Sequence, residues 1–447
     1  MGEPQGDAPH GAQGEDGLMA RRVALALLYQ VLQQKRALDE ALERDPYFRD
    51  LPPRDRGFTR MLVTTCLRRK GQMDDLIRRA MDKGAEPNPV ILKFILYIGI
   101  CQIFFMDVAD HAAVDTSVTL AEENGLSKQK GFVNAILRRM TGGEGREWIG
   151  RQDEVRMNFP AWLLEAWVKD YGLSQAAQIA QASLAEAPLD ITVKNYEDRA
   201  VWQEALGATL LPTGSLRRNT GGFVGDLPGL QEGAWWVQDA AAALPVRLAG
   251  DMRDKRAVDL CAAPGGKTMQ LAAAGAWVNA VDRSTARMKL LHDNITRTGL
   301  GERVAIDITD GAQYQPREQA DLVLLDAPCS ATGTIRRHPD LLHLKSARDV
   351  TQLMDIQERL LTNAARIVKS GGTLIYCTCS LQQDEGERQI AKFLEAHTDF
   401  RRWPVTASEI GGIADAITAE GEVRLLPYHL APYGGMDGFF ISRLIRA

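Results

Sequence analysis

The sequence contains few cysteines and no long uninterrupted apolar segment. Its six cysteines among 447 residues are unevenly spaced, at positions 66, 101, 261, 329, 377 and 379. This excludes the disulfide framework of small secreted domains and favours a reduced, cytoplasmic compartment. The longest apolar stretch, residues 90–106, is interrupted by Lys93 and Gln102. That interruption favours a core helix over a membrane span, so no membrane association is expected.

An excess of positive charge is also absent. The net charge of −5 argues against a general nucleic-acid-binding surface. Residues 17–140, however, hold 20 Lys and Arg against 15 Asp and Glu, which indicates that this region meets a polyanion. Residues 1–17 are polar, acidic and glycine-rich, without the charged and apolar segments of a signal peptide. They are predicted to form a disordered tail.

The remaining chain divides by its periodicity into three regions. Residues 18–145 have helical apolar spacing and predict an all-α domain. Residues 146–235 are mixed, with a helix at PAWLLEAWVKDYG, a strand at DITVKN and a turn-rich segment, and predict a small α+β subdomain. In residues 236–447, strand-like runs alternate with helical segments, which predicts a parallel, doubly wound sheet; these runs are residues 257–262, 277–282, 303–308, 322–327 and 373–378.

A glycine-rich turn, DLCAAPGGKT at 259–268, separates the first of these strands from a helix. Gly265 and Gly266 allow a ligand to approach the backbone, and the helix start at Lys267 presents free N–H groups. The spacing matches neither a Walker loop nor G-x-G-x-x-G, so neither phosphate binding nor a nicotinamide dehydrogenase is indicated. Asp282 and Asp310 follow the next two strands; each alone could be a helix cap or turn residue. As an ordered set with the turn they favour an adenosine ligand without pyrophosphate, such as S-adenosylmethionine.

Two cysteines each follow a predicted strand: Cys329 in LVLLDAPCS and Cys379 in TLIYCTCS. A thiolate can add to a pyrimidine ring and leave again, so this pair suggests covalent base chemistry. The alternative for either cysteine alone is an ordinary small buried residue. Cys377 and Cys379 form a Cys-x-Cys without a second pair of ligands, so no metal is expected.

Taken in order, DLCAAPGGKT, VDRS, DITDG, LLDAPCSATGTIRRHPD and YCTCS resemble the motifs of RNA cytosine-carbon-5 methyltransferases with two active-site cysteines. The helical region ending in KGFVNAILRRM is similar to the antitermination factor NusB. The combination resembles the RsmB/Sun-type methyltransferases of bacterial small-subunit (16S) ribosomal RNA. The resemblance implies a multidomain protein: an all-α NusB-like RNA-binding domain, a small α+β linker subdomain and a C-terminal α/β Rossmann-like methyltransferase domain.

The resemblance also implies residue roles. Cys379 would add to carbon 6 of cytosine and make carbon 5 able to attack a methyl group, and Cys329 would help to remove the carbon 5 proton during product release. Asp326 would contact the base within reach of the cofactor. S-adenosylmethionine would be bound by Asp326 together with Cys261, Ala262, Ala263, Pro264, Gly265, Gly266, Lys267, Asp282 and Asp310.

The implied partner is ribosomal RNA in a hairpin loop or open structure, because the target base must leave its stack. Arg336 and Arg337 would contact phosphates or lie in a solvated loop. The chain departs from the family pattern at Lys194, at His343, where tryptophan is usual, and at Cys377. A monomer is expected, and protein partners are not indicated. Alternatives are a tRNA or 23S rRNA substrate, or a non-catalytic RNA-binding assembly factor with a methyltransferase fold.

Overall fold

The computed structural model describes residues 12–81, 85–219 and 224–447. Contacts divide the chain into two compact units: one extends to Ala161 and includes His338–Leu344, and the other consists of Trp162–Arg337 and Lys345–Ala447. Most of the predicted tail lies outside the described residues, and a helix begins within it at Ala12. The finer domain boundaries at residues 145 and 235 remain predictions.

The helices and strands of the described residues are as follows, in chain order. The helices are α1 (Ala12–Leu32), α2 (Leu38–Arg44), α3 (Pro46–Asp50), α4 (Pro53–Arg68), α5 (Lys70–Ala80), α6 (Val90–Phe105), α7 (Asp110–Glu123), α8 (Lys130–Thr141), α9 (Gly143–Gly150), α10 (Glu154–Asn158), α11 (Ala161–Ser183), α12 (Arg199–Ala205), α13 (Ala240–Arg247), α14 (Gly266–Ala273), α15 (Thr285–Thr298), α16 (Leu341–Leu344), α17 (Ala347–Ile367) and α18 (Glu387–Ala396). The strands are β1 (Leu189–Val193), β2 (Thr209–Leu210), β3 (Leu216–Arg218), β4 (Trp235–Val237), β5 (Arg256–Leu260), β6 (Trp277–Val281), β7 (Val304–Asp307), β8 (Ala320–Asp326), β9 (Val368–Thr378), β10 (Phe400–Arg402), β11 (Val423–Leu425) and β12 (Phe439–Arg446).

The first unit is helical, and α6 is its central helix. Most residues of α6 are buried, which is the pattern of a helix surrounded by others rather than one with a solvated face. Gly99 allows α6 to pack closely, since a Cβ there would lie 2.5 Å from Leu137 Cδ1 and 2.8 Å from Ser117 Oγ. The prediction of an all-α N-terminal domain with a core helix at residues 90–106 is confirmed. None of the described helices combines the length and the apolar character needed to cross a bilayer.

The second unit contains a small antiparallel sheet with the order β2-β3-β1-β4. The predicted strand DITVKN is β1, whereas β2 and β3 lie in the segment that was predicted only as turn-rich. Asp190 of β1 lies opposite Arg217 of β3, and the two form an ion pair at 2.6 Å with both side chains 1% exposed. Two-residue and three-residue strands were missed because such short segments have no clear alternation; this buried pair stabilises them.

The larger sheet of the second unit has the order β10-β12-β9-β8-β5-β6-β7, with β11 paired to β12. Its strands β5 to β9 are parallel, as predicted. The final strand, β12, is antiparallel to β9, β10 and β11, so the whole sheet is mixed.

Strand order creates a crevice at one edge of this sheet. From β5 the chain proceeds through β6 and β7 on one side, and then crosses to β8 and β9 on the other. The loops after β5 and β8 therefore leave neighbouring strands in opposite directions, which is the position where open α/β sheets bind ligands. The glycine-rich turn follows β5, and Cys329 and Cys379 lie just beyond the ends of β8 and β9.

Candidate active site

The conformation of the loop after β5 is fixed by positive backbone φ angles and by hydrogen bonds to residues that follow the neighbouring strand. Gly265 caps α14 with φ of +105°, and a Cβ there would lie 3.0 Å from Leu291 Cγ. Cys261 also has a positive φ, +63°. Asp282 Oδ2 accepts a hydrogen bond from the Ala263 N–H at 3.3 Å, and Arg287 donates to the Ala263 carbonyl. The loop is thus fixed from the end of the neighbouring strand β6.

Asp282 and Asp310 line the same edge of the sheet. Asp282 directly follows β6, and its Oδ1 accepts from the Ser284 N–H at 2.9 Å. Asp310 lies three residues beyond β7, and its Oδ1 accepts from the Ala312 N–H at 3.0 Å. Each aspartate therefore makes the local turn contact that was its alternative interpretation. A carboxylate has about four acceptor positions, so these contacts do not use the full acceptor capacity of either side chain.

Lys267 and Asp326 connect the two sides of the crevice. Lys267 Nζ lies 2.7 Å from Asp326 Oδ2. Burial opposes the charge on Lys267, but the Asp326 carboxylate outweighs it and holds the lysine pKa above its usual value. The Asp326 side chain is 32% exposed, so one face of its carboxylate remains open. Cys377 Sγ donates to Asp326 Oδ1 at 3.7 Å, a contact the sequence did not indicate.

The two candidate cysteines meet directly. Cys329 Sγ and Cys379 Sγ are 3.4 Å apart. The hydrogen bond with Cys379, together with burial, raises the pKa of Cys329 well above its usual value. Two adjacent sulfurs cannot readily both ionise, so the geometry favours one thiolate and one thiol.

Arg337 is a cation within electrostatic reach of Cys379. Burial opposes its charge, whereas Asp437, Asp239 and the Cys379 sulfur raise the pKa of Arg337 above its usual value. Arg337 Nε donates to Asp437 Oδ2 at 2.7 Å.

Arg336, next to it, does not face solvent. Its side chain is 1% exposed; Nε donates to Asp437 Oδ1 at 3.2 Å and Nη1 donates to the Gly434 carbonyl at 2.9 Å. The expectation that Arg336 contacts phosphate or lies in a solvated loop is therefore wrong. Its acidic partner is 101 residues away in sequence, which no local pattern reveals.

The backbone around Cys379 is closely packed against the loop that carries Cys329. The Gly333 N–H donates to the Cys379 carbonyl at 2.9 Å, and the Gly438 N–H donates to the Gly333 carbonyl at 2.9 Å. A Cβ at Gly333 would lie 2.0 Å from Gly438 O. Only glycine permits this approach, which fixes where the Cys379 loop lies.

His343, one of the three departures from the family pattern, belongs to the first unit. Its Nε2 lies 2.8 Å from the Leu67 carbonyl, and burial lowers the pKa of His343 to about 4. A neutral histidine in this environment binds the end of α4 and has no evident chemical role.

The side chains at the crevice suit a positively charged nucleoside without phosphate. Carboxylates lie at or just beyond the ends of β6, β7 and β8, and the single lysine of the loop already neutralises Asp326. The positive charge of a sulfonium is matched by nearby carboxylates. Within residues 12–81, 85–219 and 224–447, no group of His, Cys, Asp and Glu is arranged to hold a metal ion.

Comparison with known proteins identifies the family of this chain. The family described as 16S rRNA methyltransferase RsmB/F matches residues 248–445, and the NusB family matches residues 18–142. The chain is 32% identical to the probable ribosomal RNA small subunit methyltransferase B of Synechocystis, over 96% of this chain and 100% of the relative. It is 33% identical to the ribosomal RNA small subunit methyltransferase B of Vibrio cholerae, over 95% of this chain and 96% of the relative.

Solved structures share the fold. A crystal structure of PH0851 covers 99% of this chain and 100% of its own, with a TM-score of 0.74 and 23% identity. The crystal structure of NSun6 from Pyrococcus horikoshii covers 64% of this chain and 98% of its own, with a TM-score of 0.54 and 18% identity. With curated relatives above 30% identity matching nearly its whole length, the chain belongs to the RsmB/F family of 16S rRNA methyltransferases.

Proposed function

We propose that the protein transfers a methyl group from S-adenosylmethionine to carbon 5 of a cytosine in small-subunit ribosomal RNA, through a covalent adduct between Cys379 and carbon 6. The observation that carries this proposal is the pair of thiols 3.4 Å apart, next to Asp326 and the loop after β5. A single cysteine would suit many roles. Two adjoining thiols beside an acidic residue suit an addition followed by an elimination on one base.

Cys379 acts as the nucleophile. Carbon 5 of cytosine reacts poorly with a sulfonium methyl group until a thiolate adds to carbon 6 and makes carbon 5 enamine-like. Cys329, whose pKa is raised by its hydrogen bond with Cys379 and by burial, keeps its proton while Cys379 attacks. Asp326 accepts a hydrogen bond from the amino group on the N3 edge of the base and so orients the ring for attack.

Bound at the crevice, S-adenosylmethionine would supply the electrophilic methyl group. Cys261, Ala262, Ala263, Pro264, Gly265, Gly266 and Lys267 would surround its methionine part. Asp282 would accept hydrogen bonds from the ribose hydroxyls, and Asp310 would lie beside the adenine ring. The order of β5, β6 and β7 in the sheet supports this order of contacts.

Cys329 acts in product release. After methyl transfer, carbon 5 carries both the methyl group and a proton. Removal of that proton returns an electron pair to the ring, re-forms the double bond between carbons 5 and 6, and breaks the bond to Cys379. Because Cys379 is by then bonded to carbon 6, Cys329 releases its own proton to solvent, and its thiolate takes the carbon 5 proton as Cys379 leaves as a thiolate. Cys329 therefore has a different task from Cys379.

The RNA is bound through the NusB-like domain and presents an open or looped cytosine, since the base must leave its stack to reach Cys379. The relative excess of basic residues in positions 17–140 and the names of the curated relatives support ribosomal RNA as partner. We propose that the protein acts in the cytoplasm as a monomer and without a metal ion.

Bisulfite sequencing of 16S rRNA, 23S rRNA and tRNA from a deletion strain and its parent tests the substrate. The expected result is one 16S cytosine that is protected in the parent and converted in the deletion strain, with protection restored by the wild-type gene. A change in tRNA or 23S rRNA alone would overturn the assignment to the small subunit. No change in any of the three would favour an assembly factor without catalytic activity.

A further inference from the structure

Glu385 is a fully buried carboxylate at the centre of a hydrogen-bond network, outside the set of residues with roles in the reaction. It lies shortly after β9, and its side chain is inaccessible to solvent. Its Oε1 accepts from the Ser330 N–H at 2.9 Å and from Gln357 Nε2 at 3.0 Å. Its Oε2 accepts from the hydroxyls of both Ser330 and Ser380. A buried carboxylate is tolerated only when it is satisfied in this way.

Two serines connect this network to the candidate cysteines. Ser330 directly follows Cys329, and Ser380 directly follows Cys379. Their hydroxyls lie 3.1 Å apart, and both donate to the same oxygen of Glu385. One carboxylate therefore connects the two loops that carry the thiols. Hydrogen bonds to an ionised acceptor are about twice as strong as neutral ones, so this link is stiffer than ordinary loop contacts.

The network is supported from α17. Gln357 Nε2 also donates to the Pro328 carbonyl at 2.9 Å, just before Cys329. Gln357 Oε1 accepts from Gln389 Nε2 at 3.3 Å, which fixes the orientation of the amide. Glu385 is thereby held in place by a helix rather than by a loop alone, which is what precise positioning of reacting groups requires.

We propose that Glu385 is a positioning residue of the methyl transfer: through Ser380 it orients the attacking thiol, and through Ser330 it orients the releasing thiol. The inference rests on the proposed function, since it assigns each serine to the step of the cysteine beside it. The negative charge of Glu385 also contributes to the raised pKa of Cys329, after the larger effects of Cys379 and of burial. It thus helps to keep the proton on Cys329 while Cys379 attacks.

The two serines allow a test that separates positioning from general stability. Ser380→Ala removes the link to the attacking loop and should slow adduct formation about 10-fold to 100-fold, because misplacement by 1 Å costs about that much. Ser330→Ala should leave adduct formation near wild type but slow its breakdown, so that adduct accumulates. A purely structural role would lower both steps equally, in proportion to the loss of folded protein.

The experiment uses the full-length protein with 16S rRNA from a deletion strain and labelled S-adenosylmethionine. Adduct is measured during a single turnover as RNA that migrates with the protein on denaturing gels. Product is measured as labelled methyl groups on RNA that is no longer bound to protein. Glu385→Gln keeps the side-chain shape but replaces one acceptor oxygen with a donor, so it should slow both steps. Melting temperature and S-adenosylhomocysteine binding identify any variant that has not folded.

Glu422→Gln is the matched control. Glu422 is also buried and accepts from a serine, Ser442 Oγ at 2.8 Å, and from Arg402 Nε at 3.0 Å, but it contacts neither cysteine loop. This variant should lose stability and keep both rates. Wild-type rates in Glu385→Gln, or equal slowing of both steps in the two serine variants, would overturn the positioning role. Absence of any adduct in the wild type and in Cys329→Ala would instead refute the proposed covalent mechanism.

Discussion

Cys329 Sγ lies 3.4 Å from Cys379 Sγ because their strands are paired in register. Asp326 at the end of β8 lies opposite Cys377 in β9, so the chain reaches Cys329 and Cys379 within three residues of the same point on the sheet edge. The Ala327 N–H continues the pairing by donating to the Cys377 carbonyl at 2.9 Å. Because the strands fix both loops, the two thiols lie side by side at one position on the sheet edge.

Replacement of each cysteine should separate the two chemical steps. Cys379→Ala removes the nucleophile and should reduce methyl transfer by at least about 10³-fold, while RNA affinity is kept. Cys329→Ala leaves the nucleophile and should trap a protein–RNA adduct that survives denaturing gels. Methyl incorporation and gel shifts with 16S rRNA measure both effects.

Cys66→Ala provides the control, since Cys66 is buried in the first unit and is remote from the chemistry in sequence. It should retain activity and form no stable adduct. An active Cys379→Ala variant together with an inactive Cys329→Ala variant that traps nothing would reverse the two roles.

The same proximity predicts sensitivity to peroxide. Hydrogen peroxide oxidises one thiolate to a sulfenic acid, and attack by the neighbouring thiol then gives a disulfide; two thiols lose two protons and two electrons, and peroxide is reduced to water. Activity should fall as one Cys329–Cys379 crosslink forms, and dithiothreitol should restore it. Peptide mapping by mass spectrometry measures the crosslink. If inactivation proceeded without this crosslink, or were not reversed by thiol, the prediction would fail.

Asp326 should be essential for reaction but not for folding. Asp326→Asn keeps the size of the side chain but removes the charge that pairs with Lys267, and the predicted loss of methyl transfer is about 10²-fold or more. Asp321→Asn is a control on the same strand. It removes an ion pair with Lys369 at 2.5 Å near the opposite end of β8. Its activity should stay within about 2-fold of wild type, and equal losses in both variants would indicate damage to the sheet instead.

The sequence predicted those parts of the site that lie at strand ends. Asp282, Asp326, Cys329 and Cys379 were predictable because parallel strands bring their carboxyl ends to one edge, whatever the length of the connections. The parallel core strands followed from their alternation with helices. Side-chain roles remain predictions, since geometry alone brings residues together without assigning chemistry.

The sequence could not predict contacts that depend on residues far apart in the chain. Glu385 lies 55 residues from Ser330 and 28 from Gln357, and its local sequence, QQDEGER, is that of an ordinary solvated helix start. Arg336 in RRHPD likewise has the local pattern of an exposed loop, yet its side chain is buried and bound to Asp437. Such residues are recognised only when the fold is known, because their neighbours have no fixed spacing.

Asp259 should make the stability of the second unit depend on pH. Burial raises the pKa of Asp259 to about 7, although Thr268 Oγ1 donates to its Oδ2 at 2.6 Å. In the unfolded chain an aspartate titrates near pH 4, at about 3.9. Between about pH 4 and pH 7 the folded protein therefore holds one proton more than the unfolded chain, and its free energy of unfolding falls as pH rises through this window.

Asp259→Asn removes this dependence, because the amide is neutral at every pH and its oxygen can still accept from Thr268. The difference between the folded and unfolded pKa values of Asp259 corresponds to at most about 4 kcal/mol of unfolding free energy. Asp259→Asn should therefore be about 1–4 kcal/mol more stable than wild type at pH 8, and the difference should be much smaller at pH 5. Urea unfolding followed by tryptophan fluorescence at both values measures the difference, with the exposed Asp293→Asn as control. A variant that is less stable than wild type at pH 8 would mean that the charged carboxylate, drawn by Lys267, is the stabilising form.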